Sequence, residues 1–198
     1  MCSLKLNHGS EEVFAGIKPG DVAIDCGANI GHVSQVMADR GAMVYAFEPN
    51  PYAFAVLSER FLDHPRIVCL NKGVWHKRDK KKLYFFANSE HNPVGYSYAS
   101  SIYLSKIVDP NYYVEVELID LTEFIEKLKR NVALLKLDIE GAEFDILEKL
   151  IQKGLHNRIG KIVVETHEWL IPNTESKLAD LQRLIRKNGI TNIDLNWN

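Results

Sequence analysis

The residues best suited to chemistry begin with a glycine-rich loop near the start of the chain. Residues 25–31, Asp-Cys-Gly-Ala-Asn-Ile-Gly, overlap the end of an apolar run at 22–26 that has the composition of a buried β-strand. Gly27 and Gly31 lack a Cβ, which would let the backbone bend sharply and come close to a ligand. The sequence therefore predicts a ligand-binding turn between a strand and a helix.

The loop differs from the dinucleotide fingerprint G-x-G-x-x-G, because Ala28 and Asn29 intervene where that pattern requires a second glycine. A pyrophosphate would have less backbone to bind there. Asp25 would also repel a diphosphate, whereas it suits a ligand that carries an ammonium and a sulfonium. These features favour S-adenosylmethionine over the nicotinamide cofactor of an oxidoreductase, which remains the alternative.

Two further strand ends extend the candidate cofactor site. Glu48 closes the second predicted strand, where a carboxylate can accept both hydroxyls of a ribose. Asn71 and Gly73 follow the third predicted strand, where an adenine would lie. The candidate cofactor-binding residues are Asp25, Gly27, Asn29, Gly31, Glu48, Asn71 and Gly73.

A second group of polar residues follows two neighbouring buried strands late in the chain. Asp138 and Glu140 end one strand and Glu165 and His167 end the next, and alternation along a strand puts the members of each pair on one face. An unpaired carboxylate is costly to bury, so a metal, a substrate hydroxyl or the cofactor amine would satisfy Asp138. We expect carboxylates and an imidazole to converge beside the cofactor pocket.

The roles within this group stay open at the level of sequence. His167 is either a general base or a hydrogen-bonded structural histidine. Alternatively, Mg²⁺ held by Asp138 and Glu165 could lower the pKa of an acceptor hydroxyl. For Glu143 we favour stabilisation of a helix N-terminus through the helix dipole. The candidate catalytic residues are Asp138, Glu165 and His167, and the candidate metal ligands are Asp138 and Glu165.

The elements that must position these residues alternate along the chain. Short β-rich runs and helical patterns succeed one another, which predicts an α/β fold with a doubly wound, mostly parallel sheet. Predicted strands cover 22–26, 43–47, 66–70, 113–119, 132–137 and 161–166, with a further strand at 83–87 and a final one at 191–198. Predicted helices cover 32–40, 52–62, 121–128, 142–153 and 176–187.

The segment 72–113 is the least regular. Its basic run, 76–82, is predicted as an exposed turn between two β-like segments. Residues 88–109 are rich in Ser, Tyr, Asn and Pro, which predicts a long loop. Long loops in compact domains are usually functional or disordered, so this one is a candidate for shaping an acceptor pocket.

Length and composition limit the class of protein. A chain of 198 residues suits one domain, 1–198, with a core at about 17–190. The net charge of −2 makes nucleic acid an unlikely partner, and RNA methylation has only the basic run and three nearby tyrosines as support. No signal peptide or membrane span is predicted, and three cysteines without a motif predict a reducing, cytoplasmic setting.

Five segments together resemble the FkbM-type methyltransferases. They are residues 24–32 (IDCGANIGH), 44–51 (VYAFEPNP), 116–121 (VELIDL), 135–143 (LKLDIEGAE) and 163–167 (VVETH). The resemblance covers roughly residues 19–189, and the fourth segment is the one that points to this family rather than to methyltransferases in general. It implies a single-domain, Rossmann-like class I methyltransferase fold.

The resemblance also implies S-adenosylmethionine-dependent O-methylation, commonly of a sugar or natural-product hydroxyl and sometimes with a bound divalent metal. Gly27, Asn29 and Gly31 would meet the methionine part of the cofactor and Glu48 its ribose. Asp138, Glu165 and His167 would face a small-molecule acceptor. The chain has one predicted C-terminal strand where this fold usually has two, and a second copy could complete the edge as a homodimer. A non-catalytic cofactor-binding scaffold is the alternative from another class.

Overall fold

A computed structural model describes residues 12–168 and 174–197 of the chain. These residues form nine strands and five α-helices, together with short 3₁₀ turns. The strands are β1 Val22–Cys26, β2 Met43–Phe47, β3 Ile67–Leu70, β4 Gly73–Trp75, β5 Asp79–Phe86, β6 Val108–Asp120, β7 Val132–Leu137, β8 Ile159–Val164 and β9 Ile193–Asp194. The helices are α1 His32–Asp39, α2 Pro51–Arg60, α3 Leu121–Leu128, α4 Glu143–Gln152 and α5 Thr174–Lys187.

The larger sheet has six parallel strands in the order β3-β2-β1-β7-β8-β9. The chain moves outward from β1 to β3 and then returns to β7 on the other side of β1. Cys26 at the end of β1 pairs with Phe47 of β2 and Leu137 of β7. The loops that follow these three strands therefore meet at the point where the strand order reverses, which is where such sheets bind ligands.

Helices cover both faces of this sheet, because parallel strands with two apolar faces must be buried on both sides. On one face Ile24 of β1 belongs to a core with α3, α4 and α5. On the other, Ala23 of β1 lies in a core that includes Met37 of α1 and Leu57 of α2. The prediction of a doubly wound α/β fold is confirmed.

A second sheet, which the sequence did not predict as a sheet, has the order β4-β6-β5. The prediction of an exposed turn over 76–82 is wrong for its second half, because Asp79 begins β5. Strand β5 pairs antiparallel with β6, which is longer than the predicted 113–119. Leu83 and Phe85 point into a small core, while the lysines before them remain more exposed. Because these charged residues are typical of a surface turn, the sequence did not indicate that the strand begins among them.

Local signals explain the starts of α2 and α3. Asn50 caps α2 by accepting hydrogen bonds from the backbone of Tyr52 and Ala53, and Pro51 occupies the first turn as predicted. Asp120 caps α3 in the same way. The final strand is shorter than predicted, since β9 covers only two residues. No helix within the described ranges has both the length and the apolar character needed to span a bilayer.

Candidate functional site

The loop after β1 has an unusual backbone. Gly27 and Gly31 have φ of 77° and 88°, and Asn29 between them has φ of 51°. A Cβ on Gly27 would collide with the carbonyl oxygen of Asp138, and one on Gly31 would collide with the ring of Phe61. The predicted sharp bend is present, but the clearance that the glycines provide is toward neighbouring protein groups rather than toward a ligand.

Glu48 fixes the shape of this loop from the end of β2. Its Oε2 accepts a hydrogen bond from the Asn29 backbone at 2.8 Å, and its Oε1 accepts one from the Asn50 backbone at 2.7 Å. The side chain borders a cavity although Glu48 is only 6% exposed. Burial raises the pKa of Glu48 to about 7, against the lowering effect of these two hydrogen bonds. A carboxylate with one lone pair per oxygen still available can accept two further hydroxyls.

Lys136 is a central residue that the sequence analysis did not select. Its Nζ donates a hydrogen bond to the Gly27 carbonyl at 2.7 Å and lies 3.0 Å from Asp138 Oδ2 and 3.4 Å from Asp25 Oδ1. Burial lowers the pKa of Lys136, but the two aspartates outweigh it and raise the pKa above its usual range. The signal was present, because a lone lysine in the buried strand β7 requires a partner.

Asp25 is fully buried and accepts a hydrogen bond from Ser34 Oγ at 2.6 Å. With Lys136 it connects the ends of β1 and β7. Asp25 does not line the cavity, and its contact with a ligand ammonium stays a prediction.

Four acidic residues surround His167, and the sequence predicted that carboxylates would converge with the imidazole but not that Glu143 would be one of them. The imidazole Nε2 lies 3.5 Å from Glu140 Oε1, 3.9 Å from Asp138 Oδ1 and 3.9 Å from Glu165 Oε1. On its other side, Nδ1 lies 3.0 Å from Glu143 Oε1. The predicted convergence of carboxylates and an imidazole is therefore present. Asp138, Glu140 and His167 each offer a ligand atom, and these atoms lie within 4.8 Å of one another.

Glu143 has a larger role than the predicted interaction with a helix dipole. It begins α4 and is fully buried. Its Oε1 accepts hydrogen bonds from the backbone of Ile139 at 3.0 Å and of Gly141 at 3.2 Å, in addition to its contact with His167. The carboxylate thus orders the turn between β7 and α4 and orients the imidazole.

That turn holds Glu140 in a left-handed conformation, with φ of 55°. Ser101 Oγ donates a hydrogen bond to the Glu140 carbonyl at 2.6 Å, which supports the turn from outside. Burial raises the pKa of Glu140 to about 8, with neighbouring carboxylates adding to the increase and His167 opposing it. A strained non-glycine residue of this kind is typical of functional sites.

His167 is 3% exposed and does not line the cavity. Burial lowers its pKa, but the hydrogen bond to Glu143 and the surrounding carboxylate charges raise the pKa of His167 to about 9. A histidine that keeps its proton at neutral pH is a weak general base there. This arrangement favours the structural alternative, whereas the general-base hypothesis itself stays a prediction.

The loops and the second sheet enclose one cavity of about 720 Å³, within the usual range for ligand pockets. Among the predicted site residues, those that line it are Gly27, Asn29, Glu48, Gly73, Asp138 and Glu165. Asp25, Gly31, Asn71 and His167 do not line it, and Asn71 is exposed on the surface. Asn71 instead donates its side-chain amide to the carbonyl of Glu48 at 2.9 Å, which places it in support of the β2 end.

The long loop over 88–109 contacts all three strand-end loops. Ser97 Oγ accepts a hydrogen bond from the Asn29 amide at 3.0 Å, and Ser100 Oγ accepts one from the Asn50 amide at 3.1 Å. Ser101 makes the third contact, described above. Val94, Gly95 and Tyr98 of the same loop line the cavity. The loop is therefore a wall of the site, consistent with the prediction that it shapes a pocket.

A family model and a curated relative that covers most of the chain name the same family. The Methyltransferase FkbM domain matches residues 25–190. The 31-O-demethyl-FK506 methyltransferase FkbM of Streptomyces tacrolimicus is 26% identical over 210 residues, covering 94% of this chain and 76% of that protein. A 40-residue stretch, 20% of this chain and 9% of the other, is 55% identical to the uncharacterized RNA methyltransferase YljE of Lactococcus lactis.

A solved structure has the same fold. The crystal structure of a methyltransferase FkbM from Methylobacillus flagellatus KT matches with a TM-score of 0.52 and 15% identity. The match covers 84% of this chain but only 37% of that one, so the present chain spans little more than a third of that protein's length. At this identity the likeness concerns the fold alone.

Proposed function

The chain belongs to the FkbM methyltransferase family, and we propose that it transfers the methyl group of S-adenosylmethionine to a hydroxyl oxygen of a small-molecule acceptor. One observation carries this proposal: the Glu48 carboxylate and the carboxylates of Asp138 and Glu165 border the same cavity. A cofactor ribose and an acceptor hydroxyl can therefore occupy one continuous space.

The part of the cavity that Gly27, Asn29, Glu48 and Gly73 border, the cofactor half, fits a nucleoside with an amino-acid tail. Glu48 would accept the two ribose hydroxyls through the lone pairs that its backbone hydrogen bonds leave available. Gly27 and Asn29 would lie along the methionine part, and Gly73 beside the adenine. Asp25, Gly31 and Asn71 act as positioning residues in this scheme, because they contact Lys136, Phe61 and the Glu48 carbonyl rather than the cavity.

The part of the cavity that Asp138 and Glu165 border, the acceptor half, supplies a base. Glu165 lines the cavity with a side chain that is 40% exposed, and burial raises its pKa, which makes it a stronger base than an exposed glutamate. S-adenosylmethionine supplies a methyl group on a cationic sulfur that leaves as a neutral thioether. The chain's residues hold the acceptor oxygen in line, and Glu165 takes the hydroxyl proton as the oxygen–carbon bond forms.

The class of acceptor is inferred from the family resemblance, which implies methylation of a hydroxyl on a sugar or a natural product. The relative from Streptomyces tacrolimicus acts, by its name, on 31-O-demethyl-FK506. We extend from it only that the acceptor is a small molecule with a free hydroxyl. A carbohydrate acceptor, Mg²⁺ held by Asp138 and Glu165, a homodimer and a cytoplasmic setting stay predictions.

Calorimetric titration with S-adenosylhomocysteine tests the cofactor assignment without knowledge of the acceptor. We expect wild type to bind it and the Glu48→Gln variant to bind about 10- to 100-fold more weakly, because one charge-assisted hydrogen bond is worth about 1.5–3 kcal/mol. Glu59→Gln, at an exposed position on α2, is the matched control and should bind as wild type does.

Binding of NAD instead of S-adenosylhomocysteine would refute the proposal in favour of the oxidoreductase alternative. Binding of S-adenosylhomocysteine with no methyl transfer to any member of a hydroxyl-bearing acceptor panel would favour the scaffold alternative. In an active protein, Glu165→Gln should lower kcat while it leaves S-adenosylhomocysteine affinity within a few-fold of wild type.

A further inference from the structure

We propose that Asp138, Glu140 and His167 bind a divalent first-row transition ion, such as Mn²⁺, at the wall of the cavity. The site differs from the Mg²⁺ pair suggested by sequence, because it includes a nitrogen ligand and Glu140. Ion binding itself does not depend on the proposed function. Only the ion's use in catalysis rests on it.

The separations of the donor atoms support a shared ion. His167 Nε2 lies 3.5 Å from Glu140 Oε1 and 3.9 Å from Asp138 Oδ1. Both distances exceed the roughly 3.2 Å limit of a nitrogen–oxygen hydrogen bond. Two ligands bound at about 2.1 Å from one ion lie about 3.0–4.2 Å apart, depending on the angle between them. The two separations from Nε2 thus have the spacing of a coordination site rather than of hydrogen bonds, and all three donor atoms lie within 4.8 Å of one another.

The imidazole is held as a metal ligand would be. His167 is only 3% exposed, and its Nδ1 lies 3.0 Å from the buried Glu143 carboxylate. A metal-bound histidine almost always donates its other ring nitrogen to such a carboxylate. Glu143 is itself fixed by two backbone N–H groups, so Nε2 points toward Asp138 and Glu140 in a defined direction.

The charge balance also calls for a cation. Four carboxylates lie around His167, and Lys136 contacts only one of them, through Asp138 Oδ2 at 3.0 Å. That contact leaves Asp138 Oδ1 directed to the histidine side. Carboxylates gathered in a buried place repel one another unless positive charge compensates them, and a protonated His167 offers one charge to four carboxylates. A dication bound between Asp138, Glu140 and His167 would take the place of the proton on Nε2 and supply two charges.

The donor set selects the kind of ion. One imidazole with two carboxylates suits Mn²⁺, Fe²⁺ or Zn²⁺, whereas Mg²⁺ prefers oxygen ligands and keeps several waters. Asp138 and Glu140 line the cavity, so an ion there has an open side toward an acceptor. An acceptor hydroxyl bound to it would have a lower pKa, which would assist transfer of its proton to Glu165.

The test uses the whole chain, freed of metals by a chelator and titrated with Mn²⁺ in the absence of any cofactor. Electron paramagnetic resonance measures the free ion, and we expect one saturable site per chain. Pulsed measurements of the bound ion should detect coupling to one imidazole ¹⁴N. Glu140→Gln and Glu143→Gln should each weaken binding about 10- to 100-fold, and His167→Gln should also remove the nitrogen coupling.

His91→Gln, at an exposed histidine of the long loop, and Glu59→Gln are the matched controls and should leave binding unchanged. Circular dichroism of each variant separates lost binding from lost folding. The inference is overturned if folded wild type leaves millimolar Mn²⁺ free, or if folded Glu140→Gln and His167→Gln bind as wild type does. Wild type that binds S-adenosylhomocysteine but not Mn²⁺ would overturn only this inference, whereas the reverse result would overturn the proposed function.

Discussion

Replacing Glu48 with glutamine should change how the stability of the free protein depends on pH. Burial raises the pKa of Glu48 from its ordinary value of 4.5 to about 7 in the folded chain. The folded state therefore binds the proton more tightly than the unfolded state. Its contribution to stability is fully present below about pH 4.5 and is lost as the pH rises through about 7.

The size of the effect follows from that difference in pKa. At about 1.4 kcal/mol per pH unit, the wild type should lose about 3 kcal/mol relative to Glu48→Gln between pH 4.5 and pH 8. Glutamine also presents an N–H₂ group to one of the two backbone N–H donors, at a cost of about 1–3 kcal/mol that does not vary with pH. The change with pH, rather than the absolute difference, is the quantity to compare.

Urea unfolding of both proteins at pH 5, 6, 7 and 8 measures this change. Other titrating groups are common to both chains, so their effects cancel in the difference. Glu59→Gln is the exposed control, and its stability difference from wild type should stay flat. The reasoning is refuted if the difference for Glu48→Gln is constant within about 0.5 kcal/mol, or if wild type gains relative stability as the pH rises. The expected result would mean that the free protein loses stability when it ionises Glu48, a cost that ligand hydroxyls bound to the carboxylate would offset.

Three other predictions follow from single contacts. Lys136→Met leaves Asp25 buried without its cation and should lower the free energy of unfolding by about 3–5 kcal/mol in urea titrations. Gly31→Ala places a Cβ against the Phe61 ring on a residue with left-handed backbone, so it should lower the free energy of unfolding by at least about 1–3 kcal/mol in thermal unfolding. Gly16→Ala, where the Cβ would enter open space, should change that free energy by less than about 0.5 kcal/mol. Ser97→Ala removes one hydrogen bond between the long loop and the loop after β1, and it should raise the dissociation rate of S-adenosylhomocysteine about 2- to 10-fold in stopped flow. An unchanged dissociation rate would mean that the long loop does not retain the ligand.

The sequence alone determined the larger sheet and the placement of most candidate residues at one edge. The parallel strands of such a sheet are short apolar runs, and β1, β2, β7 and β8 are each followed by a helix, one of which has a clear start signal at Pro51. Because the carboxyl ends of parallel strands meet, knowing that Glu48 and Asp138 end strands was sufficient to expect them near one another. The family resemblance rested on the same local segments, and the match over residues 25–190 confirms it.

Only the tertiary structure decided which side chains share a contact and which face the cavity. The sequence predicted a strand at 83–87, but the lysine-rich first half of β5 gave no local sign of one, because that half is stabilised by pairing with the distant strand β6. The partners of Lys136 and the contact between Glu143 and His167 join distant segments in the same way. Local composition specifies elements, but the direction of a side chain depends on register and packing between elements. For that reason the sequence predicted an acidic cluster around a histidine, and the fold decided that His167 lies behind the wall while Asp138, Glu140 and Glu165 face the cavity.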